Sequence, residues 1–346
     1  MDIEAGKQFL QQYRNKHVVL APHEDADGLA GGAIIWRFLS GPREIVCPDK
    51  GLSIHNEAFT IKLQAHSPEA LIIIDQGSRA GAVLPGVPTL IIDHHVPRGI
   101  PAGVLVSSYQ RIPAESASHI CYLLTDEPDE LLWLAAIGEI GDFGLQSSFP
   151  MIDDAKKRYT QTALLEAVAL VNAARRSSHY DWETAFNVLL AAESPKQIAT
   201  YDVPGANQLQ RDRDEVAHEL MRAKRARPFF ADPWAVIPFS SPCLIHGVVA
   251  MSWKNRLKEH YVVAANFGYR QGYVHFSVRS AQQIDLITAL RELVPEGMPG
   301  EWAFGHHGAT GGALTVRDFT LLLNRMGFSL EMISEIQYAA QRKHAA

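Results

Sequence analysis

The 346-residue sequence contains few cysteines and no long apolar run. Cys47, Cys121 and Cys243 are widely spaced and form no paired motif, so they argue against a disulfide framework and are expected as core residues of a cytoplasmic protein. No apolar stretch approaches the roughly 18 residues that a membrane span needs. The first residues show neither the cationic flank nor the apolar core of a signal peptide. We therefore expect no membrane partner.

The sequence also lacks an excess of positive charge. It has 32 lysines and arginines against 38 acidic residues, a formal net charge of −6. This balance argues against a broadly basic surface that coats nucleic acid, but it allows a nucleic-acid substrate held locally by metal ions and a few arginines. The hydrophobic fraction of 47% is ordinary for a soluble globular protein. The chain is too long to fold around one compact core, which indicates two domains.

Short apolar runs alternate with helical patterns along the first half of the chain. The runs near residues 18–20, 45–47, 70–74 and 89–92 end in turn residues, which is typical of buried parallel strands. The stretch 76–88 is a short crossover in which we expect one helical turn. The alternation predicts an α/β fold with a doubly wound parallel sheet. We expect a catalytic domain at 1–195, a helical connector at 196–228, a smaller α/β domain at 229–346, and a cleft between the two domains.

Acidic and histidine residues cluster at four places, three of them directly after these apolar runs. They are His23-Glu24-Asp25-Ala26-Asp27-Gly28, Asp75, Asp93-His94-His95 and Asp142. Because ligands bind outside the carboxyl ends of the strands of an open α/β sheet, these side chains are expected at one edge. Crowded carboxylates repel each other and need a compensating cation. Oxygen donors with some nitrogen and no thiolate favour Mn²⁺, or alternatively Mg²⁺, and four carboxylates suit two ions that catalyse phosphoester hydrolysis.

Each of these segments also has a structural interpretation. Asp-x-Asp-Gly is common in turns, a lone aspartate often caps a helix, and Asp142 between two glycines could be a turn residue. Arg175 and Arg176 are expected as a basic pair at the end of a helix. The ordered conjunction of four such segments, three of them directly after buried strands, favours the functional interpretation of the acidic and histidine residues.

The four segments resemble, in order, the motifs of the DHH phosphoesterase superfamily. That superfamily includes RecJ-type single-strand exonucleases, nanoRNases, cyclic-dinucleotide phosphodiesterases and family II pyrophosphatases. The resemblance covers about residues 15–145, and its short His-x-Asp-x-Asp-Gly spacing is closer to the RecJ-type and one nanoRNase branch than to the pyrophosphatases. Further along, Ser277-Val278-Arg279-Ser280 and the glycine-rich stretch 305–312 resemble the DHH-associated C-terminal domain. That motif usually has glycine at the position of His306 and alanines at those of Thr310 and Gly311.

The resemblance implies a role for each matching residue. Asp75 would bridge two ions, Asp93 would orient an imidazole, and His95 would contact the phosphate. The implied metal ligands are His23, Asp25, Asp27, Asp75, His94 and Asp142. Of these, His23 is either a direct ligand or a group that contacts a ligand. The implied catalytic residues are His94, His95 and Asp142. The implied substrate-binding residues are His95, Arg279, Gly305, His307 and Gly311.

The leading functional hypothesis is a phosphodiesterase that uses two Mn²⁺ ions. It would cleave short single-stranded RNA or DNA, or linear dinucleotides, to 5′-mononucleotides. One alternative is a phosphatase for a small molecule such as a 3′-phosphoadenosine nucleotide, and another is a cyclic-dinucleotide phosphodiesterase. The alternative from another class is a non-catalytic scaffold that binds nucleic acid or a replication partner. A homodimer is a further expectation.

Overall fold

The computed structural model describes residues 1–293, the backbone of 302–306, and residues 308–341. The chain forms two compact units. The first consists of Met1–Arg175 and His179–Arg213, and the second of Arg176–Ser178 and the chain from Asp214 onward. The division at Arg213 and Asp214 falls inside one helix, within the stretch 196–228 that was expected to connect two domains.

In the chain up to Ala223, strands and helices alternate as far as Ile74, as the sequence pattern predicts, after which come four more strands up to Ser107 and then only helices. Its strands are β1 (Val18–Pro22), β2 (Arg43–Ile45), β3 (Ala70–Ile74), β4 (Arg79–Gly81), β5 (Thr89–Asp93), β6 (Arg98–Pro101) and β7 (Val104–Ser107). Its helices are α1 (Ile3–Tyr13), α2 (Ala26–Phe38), α3 (Glu57–Ala65), α4 (Ala117–Leu124), α5 (Leu132–Phe143), α6 (Pro150–Tyr159), α7 (Gln161–Arg176), α8 (Trp182–Ala191), α9 (Pro195–Ala199) and α10 (Ala206–Ala223).

Five of these strands form a parallel sheet in the order β2-β1-β3-β5-β7. Successive residues of β1 point to opposite faces: Val18 and Leu20 pack with α2 and α4, while Val19 and Ala21 pack with α3. Both faces are therefore covered, and the doubly wound α/β fold is confirmed. The chain leaves β1 for β2 on one side and returns to β3 on the other, so the topological switch point lies between β1 and β3.

The crossover after β3 differs from expectation. No helical turn forms between residues 76 and 88; instead β4 pairs in parallel with β6 in a separate two-stranded sheet. Gly77 and Gly81 have φ angles of +71° and +88°, which interrupt any right-handed helix. Strand β7, which the sequence analysis did not predict, adds an edge to the main sheet.

The second unit is a smaller α/β unit with a mixed sheet, again as expected. Its elements are β8 (Phe229–Ala231), β9 (Trp234–Phe239), α11 (His246–Lys254), β10 (Tyr261–Asn266), β11 (Tyr273–Arg279), α12 (Leu286–Arg291), β12 (Trp302–His306), β13 (Ala309–Thr315), α13 (Val316–Arg325) and α14 (Leu330–Gln341). The sheet order is β12-β13-β11-β10-β9-β8, and only the β9–β10 pair is parallel. Among the described residues, no helix has the length and apolar character that crossing a membrane requires.

Candidate metal centre

The turn after β1 places two carboxylates at the start of α2. Asp25 caps the helix, its Oδ1 accepting a hydrogen bond from the Gly28 N–H at 3.2 Å. Asp27 lies in the first turn, fully buried, and its two oxygens accept bonds from the N–H groups of Ala117 and Ser118 at 2.7 and 2.8 Å. A Cβ at Gly28 would overlap the backbone of His23. The Asp-x-Asp-Gly segment therefore does more than make a turn, because it directs carboxylates inward.

Asp75 follows β3 directly and has an unusual backbone conformation. Its φ angle is +62°, in the left-handed region that aspartate tolerates better than most residues but still at a cost. Its N–H donates to the carbonyl oxygen of Ile92 at 2.8 Å, which ties it to the neighbouring strand. Its side chain is almost fully buried. Strain of this kind is commonly found at functional sites.

The segment after β5 supplies two imidazoles. His94 Nε2 lies 3.1 Å from Asp75 Oδ1 and 3.0 Å from Asp142 Oδ2. His95 is held differently, with its Nδ1 3.0 Å from Asp93 Oδ1, and its side chain is 41% exposed. The Asp93 carboxylate thus orients His95 rather than His94.

Asp142 reaches the cluster from a helix. It lies in the last turn of α5, so the turn interpretation of this residue is wrong. Gly138, one helical turn earlier, faces the same side of the helix. A Cβ at Gly138 would overlap Ser118 Oγ and lie 2.5 Å from Asp27 Oδ1. The glycine therefore allows α5 to approach the buried carboxylate closely.

The expected donors form three overlapping sets, each with its donor atoms within 4.8 Å of one another. The sets are His23, Asp25 and Asp75; Asp27, Asp75, His94 and Asp142; and Asp75, His94 and His95. Asp75 is common to all three. A single carboxylate shared between two adjacent sets is the arrangement that a bridging ligand of two ions requires.

The electrostatics of the cluster reflect its crowding. Burial raises the pKa of Asp27 well above its usual range, and the charges of Asp75 and Asp142 raise it further. Burial lowers the pKa of His94, but hydrogen bonds to Asp142 and Asp75 outweigh this and raise it to about 12. In the absence of an ion, this raised pKa favours a proton on His94, whose charge offsets that of the carboxylates. Metal ligands must release such protons, so ion binding and deprotonation are coupled at this site.

Arg175 is a member of the cluster that the sequence analysis missed. Its Nη1 donates to Asp25 Oδ2 at 2.8 Å and lies 3.4 Å from His23 Nδ1. The residue lies in the last turn of α7, where a basic side chain is explained by the helix dipole alone, so the sequence carries no separate signal. Asn172, also on α7, accepts a hydrogen bond from the Ala26 N–H at 3.1 Å. Helix α7 thus holds the Asp25 end of the centre.

Of the expected substrate-binding residues, His95 lies in the first unit with the metal centre, and Arg279, Gly305 and Gly311 lie in the second unit. Arg279 Nη1 donates to Ser277 Oγ at 2.8 Å and to the carbonyl oxygens of Val278 and Thr310 at 3.0 and 3.3 Å. Its Nε is buried without a partner among the described residues, and burial lowers its pKa. Gly305 pairs with Thr310 across β12 and β13, and His307 lies outside the described residues.

Gly311 lies opposite Ser277 on the neighbouring strand β11. A Cβ at this position would lie 3.0 Å from Ser277 Cα and overlap the carbonyl oxygen of Phe276. The close approach of β13 to β11 therefore requires glycine here. The structure brings Arg279, Gly305 and Gly311 to neighbouring positions of one sheet.

Comparison with solved structures identifies the fold. RecJ from Thermus thermophilus in complex with Mn²⁺ is 20% identical with a TM-score of 0.67, covering 98% of this chain and 55% of that one. An exonuclease RecJ bound to manganese is 19% identical with a TM-score of 0.63, and the match covers 99% of this chain and 95% of that one. The Thermus protein with Mg²⁺ is 18% identical with a TM-score of 0.62. This chain therefore spans about half the length of the Thermus protein.

These neighbours confirm, at the level of the fold, the resemblance that the four motifs indicated. They are solved with Mn²⁺ or Mg²⁺, and this chain has donor sets that could hold such ions. No protein-family model matches the sequence, and no curated protein matches it.

Proposed function

We propose that this chain is a metal-dependent phosphodiesterase that cleaves short single-stranded oligonucleotides or linear dinucleotides to 5′-mononucleotides. The observation that carries the proposal is the position of Asp75 in all three donor sets. His23, Asp25 and Asp75 would hold one ion, and Asp27, Asp75, His94 and Asp142 the other. Two Mn²⁺ ions in such a site supply an activated water and stabilise the charge that develops at phosphorus.

The other residues position the substrate. His95, oriented by Asp93 and partly exposed, is proposed to contact the scissile phosphate. Arg279 is a partly buried cation whose hydrogen bonds within the described residues go to neutral oxygens, which favours an anionic partner such as a terminal phosphate. Gly305 and Gly311 are proposed to line the same subsite, because they lie near Arg279 at neighbouring positions of one sheet. The role of His307 stays a proposal from the family resemblance.

Metal dependence tests the first part of this proposal. We expect Mn²⁺ to activate best and Mg²⁺ less, because the donors are oxygens and imidazole nitrogens without thiolate. Exhaustive chelation should abolish activity, and added Mn²⁺ should restore it. Activity is measured on a panel of substrates, and the products are identified by mass spectrometry. The panel consists of short DNA, short RNA, cyclic dinucleotides and a 3′-phosphoadenosine nucleotide. Full activity in protein shown by elemental analysis to be free of metal would contradict the proposal.

The same panel separates the alternatives. Release of inorganic phosphate from the bisphosphate, without mononucleotides from oligonucleotides, would favour the small-molecule phosphatase. Stoichiometric Mn²⁺ binding without turnover of any substrate would favour the non-catalytic scaffold.

Substitution of Arg279 tests the substrate-binding role. A lost hydrogen bond to a charged group costs about 1.5–3 kcal/mol, so Arg279→Ala should lower kcat/KM on oligonucleotides by about 10- to 100-fold. Hydrolysis of a small chromogenic phosphodiester, which leaves this subsite empty, should change little. The kcat/KM of Arg279→Lys, which keeps the charge, should lie between those of the wild type and of Arg279→Ala. Equal losses on both substrates would place Arg279 in the chemical step instead.

A further inference from the structure

A second carboxylate lies on the helix that carries Asp142. Of the 12 residues of α5, only Glu139 and Asp142 are ionisable, and the Glu139 side chain is fully buried. A carboxylate removed from water is costly unless hydrogen bonds compensate it. Glu139 belongs to none of the three donor sets formed by the described residues. Any effect that it has on the ions must therefore pass through other residues.

Three contacts hold the Glu139 carboxylate. The Ser116 N–H donates to its Oε2 at 3.0 Å, and Ser147 Oγ donates to its Oε1 at 2.6 Å. His119 Nδ1 lies 3.5 Å from Oε2. Burial raises the pKa of Glu139, but these contacts outweigh it and hold the pKa below its usual range. The group is therefore an ionised acceptor in a fixed position.

The bond to Ser116 completes the start of α4 from another helix. Ser116 is the N-cap of α4, and a glutamate at the third helical position often accepts the N–H of such a cap. In this chain the third position is His119, and Glu139 of α5 supplies the carboxylate instead. A negative charge near a helix N-terminus is favourable. Helix α5 is therefore tied to the first turn of α4.

The same turn of α4 holds Asp27. The N–H groups of Ala117 and Ser118, which follow that of Ser116, donate to the two Asp27 oxygens at 2.7 and 2.8 Å. Three consecutive N–H groups thus bind carboxylates from α2 and from α5. Since residues three apart share one side of a helix, the bond that fixes Glu139 also fixes the side of α5 that presents Asp142.

We propose that Glu139 is a positioning residue that sets the distance between Asp27 and Asp142. Both of these carboxylates belong to the four-membered donor set with His94, and neither belongs to the set with His23. Loss of Glu139 should therefore weaken the ion of the first set, the His94 ion, and spare that of the second, the His23 ion. The inference rests on the proposed function and extends it, because it names the residue that keeps one of the two ions in place.

The test separates the reach of the Glu139 side chain from its charge. Glu139→Gln keeps the reach, because its amide oxygen can accept from the Ser116 N–H while Ser147 Oγ accepts from its amide nitrogen. Glu139→Asp keeps the charge but is one methylene shorter, so the Ser116 N–H loses its acceptor unless α5 moves. Glu139→Ala removes both.

Isothermal titration of metal-free protein with Mn²⁺ counts the ions and measures their affinities. Glu139→Ala and Glu139→Asp should lower the affinity for the His94 ion by about 10- to 100-fold, the usual effect of losing a group that orients metal ligands. The affinity for the His23 ion should not change. Glu139→Gln should bind both ions as the wild type does. Adding Asp25→Asn to Glu139→Ala should remove the ion that remains, which identifies it as the His23 ion.

Electron paramagnetic resonance gives a second measurement of the same loss. Two Mn²⁺ ions that share a carboxylate are spin-coupled, whereas an isolated Mn²⁺ ion shows its own resolved hyperfine spectrum. At a Mn²⁺ concentration that fills both sites of the wild type, Glu139→Ala and Glu139→Asp should give the spectrum of the isolated ion. If Glu139→Ala does not fold, Glu139→Asp and Glu139→Gln still provide the comparison.

Leu63→Ala is the control for loss of stability. Leu63 is fully buried near the end of α3, in the core on the other face of the sheet. Its truncation should lower the melting temperature, because it leaves a cavity, and should leave both Mn²⁺ affinities unchanged.

Wild-type affinities in Glu139→Asp, or the affinities of Glu139→Ala in Glu139→Gln, would show that charge matters rather than reach and would overturn the inference. Equal weakening of both ions, or absence of Mn²⁺ binding by the wild type, would overturn it as well. The expected loss of one ion, in a protein whose wild type hydrolyses no member of the substrate panel, would leave the inference standing and overturn the proposed function.

Discussion

Asp75→Asn should abolish turnover while leaving the protein folded. The substitution removes the charge of the one carboxylate that all three donor sets share. Asparagine keeps the shape and tolerates the φ angle of +62°, whereas alanine would add backbone strain to the loss of the ligand. Metal ions stabilise the transition state of such reactions by several kcal/mol, so kcat should fall by at least about 1000-fold.

Asp126→Asn is the matched control for this variant. Asp126 also has a left-handed backbone, with φ of +63°, but its carboxylate is exposed and pairs with Lys7. We expect its activity and Mn²⁺ binding to equal those of the wild type. Isothermal titration with Mn²⁺ and circular dichroism on both proteins separate loss of the site from loss of the fold. A kcat near the wild-type value in Asp75→Asn would show that the two-ion assignment is wrong.

Gly138→Ala is expected to damage the site through packing alone. The added methyl group would overlap Ser118 Oγ and press against Asp27 Oδ1, and both groups are buried. Overpacking of this kind typically costs about 1–3 kcal/mol of stability. Since misplacement of a catalytic group by about 1 Å can cost about 100-fold in rate, we expect a loss of that order in kcat.

Gly32→Ala provides the comparison in the same unit. Gly32 lies inside α2, and the nearest atom to its added Cβ would be Pro22 Cγ at an ordinary 3.4 Å. Because alanine favours a helix interior over glycine by about 1 kcal/mol, this variant should be as stable as the wild type or more so. Thermal melts and Mn²⁺-dependent turnover measure both effects. Equal behaviour of the two variants would contradict the packing role assigned to Gly138.

The order of strands, helices and acidic segments could be predicted because it depends on local patterns. Apolar runs of four or five residues ending in turns mark buried strands, and Asp75 and Asp93 stand at the ends of two of them. The parallel sheet then brings those ends to one edge whatever the details of packing. The fold class and the donors at the strand ends follow from this rule, and the structure agrees on the fold.

Other features depend on contacts between residues distant in the sequence. Arg175 meets Asp25 across 150 positions, and no spacing rule connects the end of α7 to the turn after β1. The register of Arg79 with Arg98 likewise depends on a pairing between two three- to four-residue strands too short to predict from periodicity. In the sequence, nothing distinguishes Gly138 from an ordinary helix residue. Only the packing of α5 against Asp27 shows why glycine is needed there.

The sequence by itself therefore determined which carboxylates and imidazoles stand at the strand ends, because strand ends and turn residues are encoded locally. Only the tertiary structure decided how those groups are arranged: that Asp75 is shared, that Asp142 arrives from a helix, and that Arg279 is partly buried. The physical reason is that distances of about 3 Å between side chains depend on how helices and strands pack, and packing is a property of the whole unit rather than of any segment.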